Sequence, residues 1–198
     1  MDKGFVVWFT GLSASGKSTL AYNMAEILKK RGTPVEVLDG DEVRETISKD
    51  LGFSAADRQE HARRVIGLSK ILVRNGVAVL VPLISPYKVS REAARAEFDS
   101  FIEVYVNCPI EACIERDPKG LYAKALSGEI KEFTGVSDPY EPPDASEVVV
   151  NTNELSVEEC CEQIMEAVDR MLDSVSAGAR DIPTSRRRAN QTPVAEAG

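Results

Sequence analysis

The segment that decides the fold lies near the N-terminus, where residues 11–18 read Gly11-Leu12-Ser13-Ala14-Ser15-Gly16-Lys17-Ser18. It satisfies the pattern G-x-x-x-x-G-K-[ST] at each fixed position, between an apolar run at residues 5–9 and a helix-like stretch. In such a loop the backbone N–H groups bind phosphates, the lysine contacts the β- and γ-phosphates, and the serine hydroxyl can ligate Mg²⁺. The pattern predicts that residues 11–18, with Thr19, bind a nucleoside triphosphate, that Lys17 is catalytic and that Ser18 is a metal ligand.

Size and charge limit the class of protein. The chain has 198 residues, 43% of them hydrophobic, which suffices for one substantial core and predicts one α/β domain. Its net charge of -8 argues against nucleic acid and membrane partners, because both favour a basic face. No apolar stretch approaches the ~20 residues of a membrane span, and residues 1–4 enter a strand without a secretory signal. We therefore expect a cytoplasmic protein that binds anions through local clusters of lysine and arginine.

The cysteines do not indicate a metal or redox site. Cys108, Cys113, Cys160 and Cys161 form neither a C-x-x-C pair nor a regular disulfide pattern, and His61 is the only histidine. We expect Cys108, Cys113 and at least one of the vicinal pair to be buried apolar side chains.

Apolar periodicity predicts a doubly wound parallel sheet. Five apolar, β-branched runs are expected to be buried strands: residues 5–10, 35–39, 77–83, 101–107 and 147–151. Helices are predicted from amphipathic stretches at residues 18–31, 58–74, 90–99, 110–116 and 157–172. This alternation is typical of a three-layer α/β fold of the P-loop kinase type, with helices on both faces of a mostly parallel sheet and the ligand beyond its carboxyl ends.

Two segments depart from the alternation. Residues 117–146, the lid insert, are rich in glycine, proline and charge, with a short helix possible at 121–126, and inserts of this length are usually functional lids. Residues 174–198 lack a periodic apolar face and contain Arg186-Arg187-Arg188, which predicts a disordered tail. The expected organisation is a kinase domain over residues 1–173 followed by this tail.

Two carboxylates follow the second predicted strand, in Asp39-Gly40-Asp41. Phosphoryl transfer to a hydroxyl needs a metal that bridges the phosphates and a carboxylate that orients the hydroxyl or accepts its proton. We expect Asp41 to face the hydroxyl and Asp39 to reach Mg²⁺ directly or through water. The alternative is that the pair forms only a turn and a helix cap.

With these motifs in place, the chain resembles the adenylylsulfate kinase family over residues 3–172. Besides residues 11–19, the resemblance rests on the order and spacing of Asp39-Gly40-Asp41, Leu51-Gly52-Phe53-Ser54, Asp57-Arg58, Ile84-Ser85-Pro86-Tyr87, Arg116-Asp117-Pro118-Lys119-Gly120-Leu121-Tyr122, Gly128-Glu129-Ile130-Lys131, Phe133-Thr134-Gly135 and Asp138-Pro139-Tyr140-Glu141-Pro142-Pro143. The family implies transfer of the γ-phosphate of ATP to the 3′-hydroxyl of adenosine 5′-phosphosulfate, with Mg²⁺, giving 3′-phosphoadenylylsulfate and ADP.

The resemblance assigns the acceptor site to four side chains. It implies that Phe53 and Phe133 sandwich the adenine of the acceptor, which two aromatic faces bind well. It implies that Arg44 and Arg58 bind the phosphosulfate, because a planar guanidinium suits paired oxyanions. For each of these, a core aromatic or a solvated charge is the alternative.

Three further residues carry roles in the family. Lys119 is implied to close from the lid insert onto the acceptor or the phosphates, and Ile84 and Ser85 to contact the acceptor through backbone and hydroxyl groups. The family's serine has also been assigned as a phosphorylated intermediate. Direct in-line transfer needs no covalent relay, and no base stands beside Ser85 in the sequence, so we predict that Ser85 positions the acceptor.

Two positions depart from the family pattern. Glu42 and His61 occupy positions where the family commonly has asparagine. An ionised glutamate offers only hydrogen-bond acceptors, whereas a neutral imidazole can mimic an amide. His61 is therefore expected either to contact the phosphosulfate or ribose of the acceptor or to lie on a helix surface.

Three functions remain open at this point. The first is adenylylsulfate kinase; the second is the same chemistry with another nucleotide-activated anion, such as a cytidine diphosphate derivative; the third is a non-catalytic ATP-binding regulator. The family also implies a homodimer, and the chain has no room for a fused sulfurylase domain, so coupling to ATP sulfurylase would need a separate partner.

Overall fold

Five parallel strands form the centre of the computed structural model, which describes residues 4–180. The strands are β1 (Val6–Thr10), β2 (Val35–Val37), β3 (Ala78–Pro82), β4 (Phe101–Asn107) and β5 (Val148–Asn151). Their order across the sheet is β2-β3-β1-β4-β5, and each neighbouring pair is parallel. The predicted parallel sheet is confirmed, and the continuous apolar runs of β1 and β3 are wholly buried. The expected burial of the other runs is wrong at the two edges of the sheet: β2 has no buried residue and β5 exposes Val149, because an edge strand has a neighbouring strand on one side only.

Helices cover both faces of this sheet. They are α1 (Lys17–Lys30), α2 (Gly40–Thr46), α3 (Ala55–Val73), α4 (Lys88–Glu97), α5 (Ile110–Arg116), α6 (Leu121–Leu126) and α7 (Val157–Arg180). Successive side chains of β1 point to opposite faces, so that Val7 and Phe9 pack with α1 and α7 while Val6 and Trp8 pack with α2, α3 and α4. The three-layer α/β architecture predicted from the sequence is therefore the one observed.

A third, smaller apolar cluster supports the lid insert. Cys108 and Cys113 are buried there with Tyr122, Ala125 and Phe133. Cys160 and Cys161 are also buried, and the four thiols are free, as expected of apolar side chains. None of the helices within residues 4–180 is long and apolar enough to cross a membrane.

The helices differ from the sequence pattern by two residues or more at four places. Helix α4 spans Lys88–Glu97 rather than the predicted 90–99, a shift of two residues at each end. The pattern does not predict α2, because seven residues are too few to show an apolar period. Helix α3 begins at Ala55 rather than 58, because the Ser54 side chain caps it by accepting from Asp57 N. Helix α7 continues to Arg180, so the expected end at 172 and the expected disorder of residues 174–180 are wrong. The other residues of the expected tail, 181–198, lie outside the described part of the chain, as do residues 1–3.

Candidate active site

The phosphate-binding loop follows β1, the central strand, and therefore lies at the middle of the sheet's carboxyl edge. Its curl depends on backbone conformations that glycine adopts readily: φ is 150° at Gly11 and 101° at Gly16. A Cβ on Gly11 would stand 2.5 Å from the backbone oxygen of Val106, so close approach to β4 also requires glycine there. Helix α1 begins at Lys17 itself, which directs its positive end toward the loop.

Lys17 lies under the loop and is only 9% exposed. Its Nζ donates to the Leu12 carbonyl at 2.5 Å and to Ser15 Oγ at 3.4 Å. Burial lowers the pKa of Lys17 to about 8, and the nearby carboxylates of Asp41 and Asp39 only partly oppose this shift. Lys17 Nζ thus has one carbonyl partner and one hydroxyl partner, both within the loop, and its contact with phosphates stays a prediction.

Ser18 and Asp39 form the pair expected of a Mg²⁺ site. Ser18 Oγ donates to Asp39 Oδ2 at 2.6 Å, and Asp39 is 7% exposed. Asp39 also caps α2, since its Oδ1 accepts from Asp41 N at 2.9 Å. The expected helix cap is observed and uses Oδ1, whereas Oδ2 faces Ser18, so the metal role of this pair stays a prediction. Thr19 follows on the exposed first turn of α1.

Asp41 meets the lid insert. Lys119 Nζ lies 2.5 Å from Asp41 Oδ2, and both side chains are exposed, 62% and 72% respectively. The hydrogen bond to Asp41 raises the pKa of Lys119. Lys119 sits just before α6, whose Tyr122 hydroxyl donates to the Ser13 carbonyl at 3.1 Å. The lid insert thus touches both the phosphate-binding loop and the carboxylate predicted to face the acceptor.

Arg44 and Arg58 converge on Phe53, which is 53% exposed. Their guanidinium carbons stand 4.7 Å and 5.6 Å from the centre of its ring. Burial and the neighbouring Arg58 lower the pKa of Arg44. Two cations beside one exposed aromatic ring form a site that a flat, anionic ligand would complement.

Phe133 has a different environment from Phe53. It is 9% exposed, and its ring meets the Tyr122 ring edge-on at a centroid distance of 5.0 Å. Arg58 links the two predicted adenine contacts, because it donates through Nε to the Phe53 carbonyl at 2.8 Å and through Nη2 to the Glu132 carbonyl at 2.7 Å. The two aromatic segments are therefore tied together, whereas the sandwich itself stays a prediction.

Ile84 and Ser85 form the bend after β3. Ser85 has a φ of 37°, which is unusual for a residue with a side chain. Its Oγ accepts from Trp8 Nε1 at 3.0 Å and approaches the Leu83 carbonyl at 3.3 Å, and the residue is 4% exposed. The Ile84 carbonyl accepts from Thr10 Oγ1 at 2.7 Å. The hydroxyl of Ser85 is engaged in structure, which favours positioning over a covalent role.

His61 is not a helix-surface residue, and that alternative is wrong. It is 2% exposed, with Nδ1 3.0 Å from Ser48 Oγ, while Nε2 has no hydrogen-bond partner. Its ring faces Gly40, where a Cβ would lie 3.8 Å from Nε2. Burial lowers the pKa of His61 to about 4, so the imidazole is neutral at pH 7. From this position His61 supports α2 at Gly40. Its expected contact with the acceptor stays a prediction, and only a buried edge of the ring could make that contact.

Glu42 lies in the first turn of α2. It accepts from the Tyr22 hydroxyl at 2.9 Å on the exposed side of α1 and α2. Burial, followed by the hydrogen bond to Glu42, raises the pKa of Tyr22 to about 12. The structure thus gives Glu42 a partner within the protein.

Sequence reasoning missed Thr10 and Arg91. Thr10 ends β1 and its Oγ1 lies 2.9 Å from the Tyr140 hydroxyl, so it joins the central strand to the end of the lid insert. Arg91 is buried on α4 and contacts Ser85. Position directly before the loop motif could have indicated Thr10, but a charged residue on a helix carries no local signal that it is buried.

The fold and its loop define an α/β kinase of the P-loop class. Among solved structures, the Mycobacterium tuberculosis APS kinase CysC in complex with AMPPNP and APS superposes with a TM-score of 0.83 and 40% identity, covering 85% of this chain and 99% of that one. The family model for adenylylsulphate kinase matches residues 3–151, and the chain belongs to this family.

Curated relatives agree with this membership. An adenylyl-sulfate kinase from Synechococcus sp. (strain JA-3-3Ab) is 52% identical over 166 residues, which are 84% of this chain and 94% of the relative. A chain named probable bifunctional SAT/APS kinase 2, from Sorangium cellulosum, is 50% identical over 168 residues, which are 85% of this chain and 29% of that longer protein.

Proposed function

We propose that this protein transfers the γ-phosphate of ATP to the 3′-hydroxyl of adenosine 5′-phosphosulfate, giving 3′-phosphoadenylylsulfate and ADP. The observation that carries the proposal is the convergence of three groups at one sheet edge: the phosphate-binding loop, the Asp41–Lys119 pair and the two arginines at Phe53. Membership of the family and likeness to a complex with AMPPNP and APS support the same substrates.

The residues divide the work between the two substrates. Residues 11–19 bind the phosphates of ATP through backbone N–H groups, and Lys17 neutralises charge on the transferred phosphoryl group. Asp41 orients the acceptor hydroxyl and accepts its proton, and Lys119 stands beside it to stabilise negative charge. No covalent enzyme intermediate is needed, because the acceptor oxygen attacks the γ-phosphorus in line with the departing ADP.

The acceptor binds between the arginines and the bend after β3. Arg44 and Arg58 face its phosphosulfate, Phe53 and Phe133 its adenine, and Ile84 and Ser85 its ribose side. Two clustered guanidiniums favour a doubly anionic headgroup over a neutral one.

Ser18 and Asp39 fit a Mg²⁺ site by their chemistry. They supply a hydroxyl and a carboxylate oxygen 2.6 Å apart, hard donors of the kind Mg²⁺ prefers, and Mg²⁺ usually completes its shell with phosphates and water. When bound, Mg²⁺ would neutralise charge on the phosphates during transfer.

The test measures ADP formation with Mg²⁺ and ATP for a panel of acceptors: adenosine 5′-phosphosulfate, AMP and cytidine diphosphate derivatives, with the nucleotide product identified by mass. A Lys17→Ala preparation controls for contaminating kinases. The proposal expects a product 80 Da heavier than adenosine 5′-phosphosulfate, the mass of one added phosphoryl group, at about micromolar acceptor. Turnover with a cytidine diphosphate derivative alone would show that the acceptor is that derivative and not adenosine 5′-phosphosulfate. ATP binding without turnover would favour a non-catalytic regulator.

Three finer features are part of this proposal. A homodimer is the expected assembly, to be tested by light scattering. A separate ATP sulfurylase is the expected source of the acceptor, in keeping with the much longer bifunctional relative. The cytoplasm, where ATP is abundant and free thiols stay reduced, is the expected compartment.

A further inference from the structure

Arg91 is a deeply buried arginine near the proposed acceptor site, and it has no role in the phosphoryl transfer proposed for this protein. It lies on α4 with 3% of its side chain exposed, opposite Glu103 of β4 with 8% exposed. Arginine and glutamate are rarely buried unless paired, and burying such a pair gives little net stability. Its placement therefore calls for a reason other than stability.

The guanidinium of Arg91 joins three segments that are distant in sequence. Nη1 donates to the Ser85 carbonyl at 2.8 Å, and Nη2 donates to the Glu141 carbonyl at 2.7 Å. Nε lies 2.8 Å from Glu103 Oε1 in a contact that is ionic, because Oε1 receives no directed hydrogen bond. The fork thus connects the bend after β3 and the end of the lid insert to the sheet.

The Ser85 carbonyl belongs to a backbone conformation that needs support. A φ of 37° is strained for serine, and such conformations persist only where surrounding contacts hold them. Arg91 holds the carbonyl side of this residue, while Trp8 Nε1 holds its Oγ.

The Glu141 contact leads from Arg91 to Arg58. Glu141 N donates to the Pro86 carbonyl at 2.9 Å, which fixes the end of the lid insert against the bend. Three residues earlier in the lid insert, Asp138 accepts from the Tyr87 hydroxyl at 2.8 Å and lies 3.8 Å from Arg58 Nε. The contacts therefore run from the bend at Ser85 to Arg58, two residues that the proposed function places at the acceptor.

We propose that Arg91, anchored by Glu103, is a positioning residue that fixes the bend at Ser85 and the end of the lid insert so that the acceptor, rather than ATP, is held for transfer. This inference rests on the proposed function. The groups that bind ATP, Lys17 and Ser18, share no hydrogen bond with Arg91 among the described residues.

Two variants separate positioning from the burial of a charge pair. Arg91→Lys keeps a cation near Glu103, but an ammonium cannot span two carbonyls and a carboxylate as the planar fork does. The double variant Arg91→Met/Glu103→Gln removes both charges, so that no carboxylate is left buried without its partner. Arg31→Met is the control, because Arg31 pairs with Asp169 between α1 and α7 on the opposite face of the sheet.

The readouts are the two KM values and the emission of Trp8. A misplaced acceptor site should raise the acceptor KM by about 10- to 100-fold in both Arg91 variants and leave the ATP KM within about twofold. Trp8 is the only tryptophan, is fully buried and donates to Ser85 Oγ, so its emission maximum reports on the bend without any substrate. We expect that maximum to shift in the Arg91 variants and to stay in place in Arg31→Met.

A folded Arg91→Lys protein with an unshifted Trp8 emission and an acceptor KM within about twofold of wild type would overturn the proposal. A parallel rise in both KM values would also overturn it, because general loosening does not distinguish the substrates. If wild type does not phosphorylate adenosine 5′-phosphosulfate, the proposed function fails, and the Trp8 emission still decides whether Arg91 holds the bend.

Discussion

Asp41→Asn distinguishes a catalytic Asp41 from a structural one. The Asp41 and Lys119 side chains are 72% and 62% exposed, and ion pairs this exposed contribute about 0 to 1 kcal/mol to the free energy of unfolding. The contact of Asp41 with the Asp39 cap uses its backbone N–H, which asparagine keeps. The substitution should therefore lower the free energy of unfolding by about 1 kcal/mol or less.

Catalysis should respond far more strongly than stability. A positioned general base contributes about 10²- to 10⁴-fold, which corresponds to about 3 to 5 kcal/mol of activation free energy. Asparagine cannot accept the proton of the acceptor hydroxyl, so kcat should fall within that range. The ATP KM should stay near wild type, because Lys17 and Ser18 are unchanged.

Asp144→Asn provides a matched control for this experiment. Asp144 is 73% exposed and pairs with Lys88 at 2.5 Å, so the same substitution breaks a similar surface ion pair. The assay combines coupled ADP detection at saturating ATP and acceptor with thermal unfolding of each variant. An Asp41→Asn enzyme whose kcat stays within about threefold of the Asp144→Asn enzyme would remove Asp41 from the mechanism.

Further outcomes are expected at Lys17, Asp39 and Gly40. Because burial lowers the pKa of Lys17 to about 8, kcat/KM for ATP should fall as pH rises through that value. Because the pKa of Lys17 is about 8 in the folded chain and 10.5 ordinarily, the charged lysine destabilises the folded protein below pH 8, and this cost disappears as the pH rises to 10.5. Lys17→Met should therefore raise Tm at pH 7 and lose this advantage toward pH 10. A Tm difference that does not change with pH would contradict the assignment. Asp39→Asn should raise the Mg²⁺ concentration for half-maximal activity, and an unchanged Mg²⁺ titration would remove Asp39 from the metal site. Gly40→Ala would place a Cβ 2.5 Å from Leu83 Cδ1 and should lower both stability and kcat. The control Gly67→Ala has open space around it and should stabilise α3 by about 0.5 to 1 kcal/mol. Equal Tm changes in the two variants would show that the Leu83 side chain moves aside without cost.

Local sequence patterns predicted most of the fold. The loop motif, the buried apolar strands and the α5 and α6 boundaries follow from short stretches of sequence, because period and turn chemistry are set by neighbours along the chain. Helix α2 and the extension of α7 escaped this reasoning. The first is too short for a period, and the second lacks an apolar face over its last turns, so packing earlier in the helix and helix propagation decide its length.

The candidate site was predictable where its residues lie in motifs. Ser18 and Asp39 meet as expected, since the carboxyl ends of parallel strands lie at one edge of the sheet. His61 was not predictable, because the helical pattern around it does not say whether α2 covers that face. Phe133 likewise belongs to a buried cluster whose members come from the lid insert and α5.

By itself, the sequence determined the class of fold, the loop that binds phosphates and the family to which the chain belongs. The tertiary structure alone decided that Arg91 joins Ser85, Glu103 and Glu141, and that Asp41 meets Lys119, which lies 78 positions away. The physical reason is the distance along the chain over which each interaction acts. Periodicity and turn chemistry act between neighbours along the chain, whereas a buried guanidinium finds its partners only after three separate segments have packed around it.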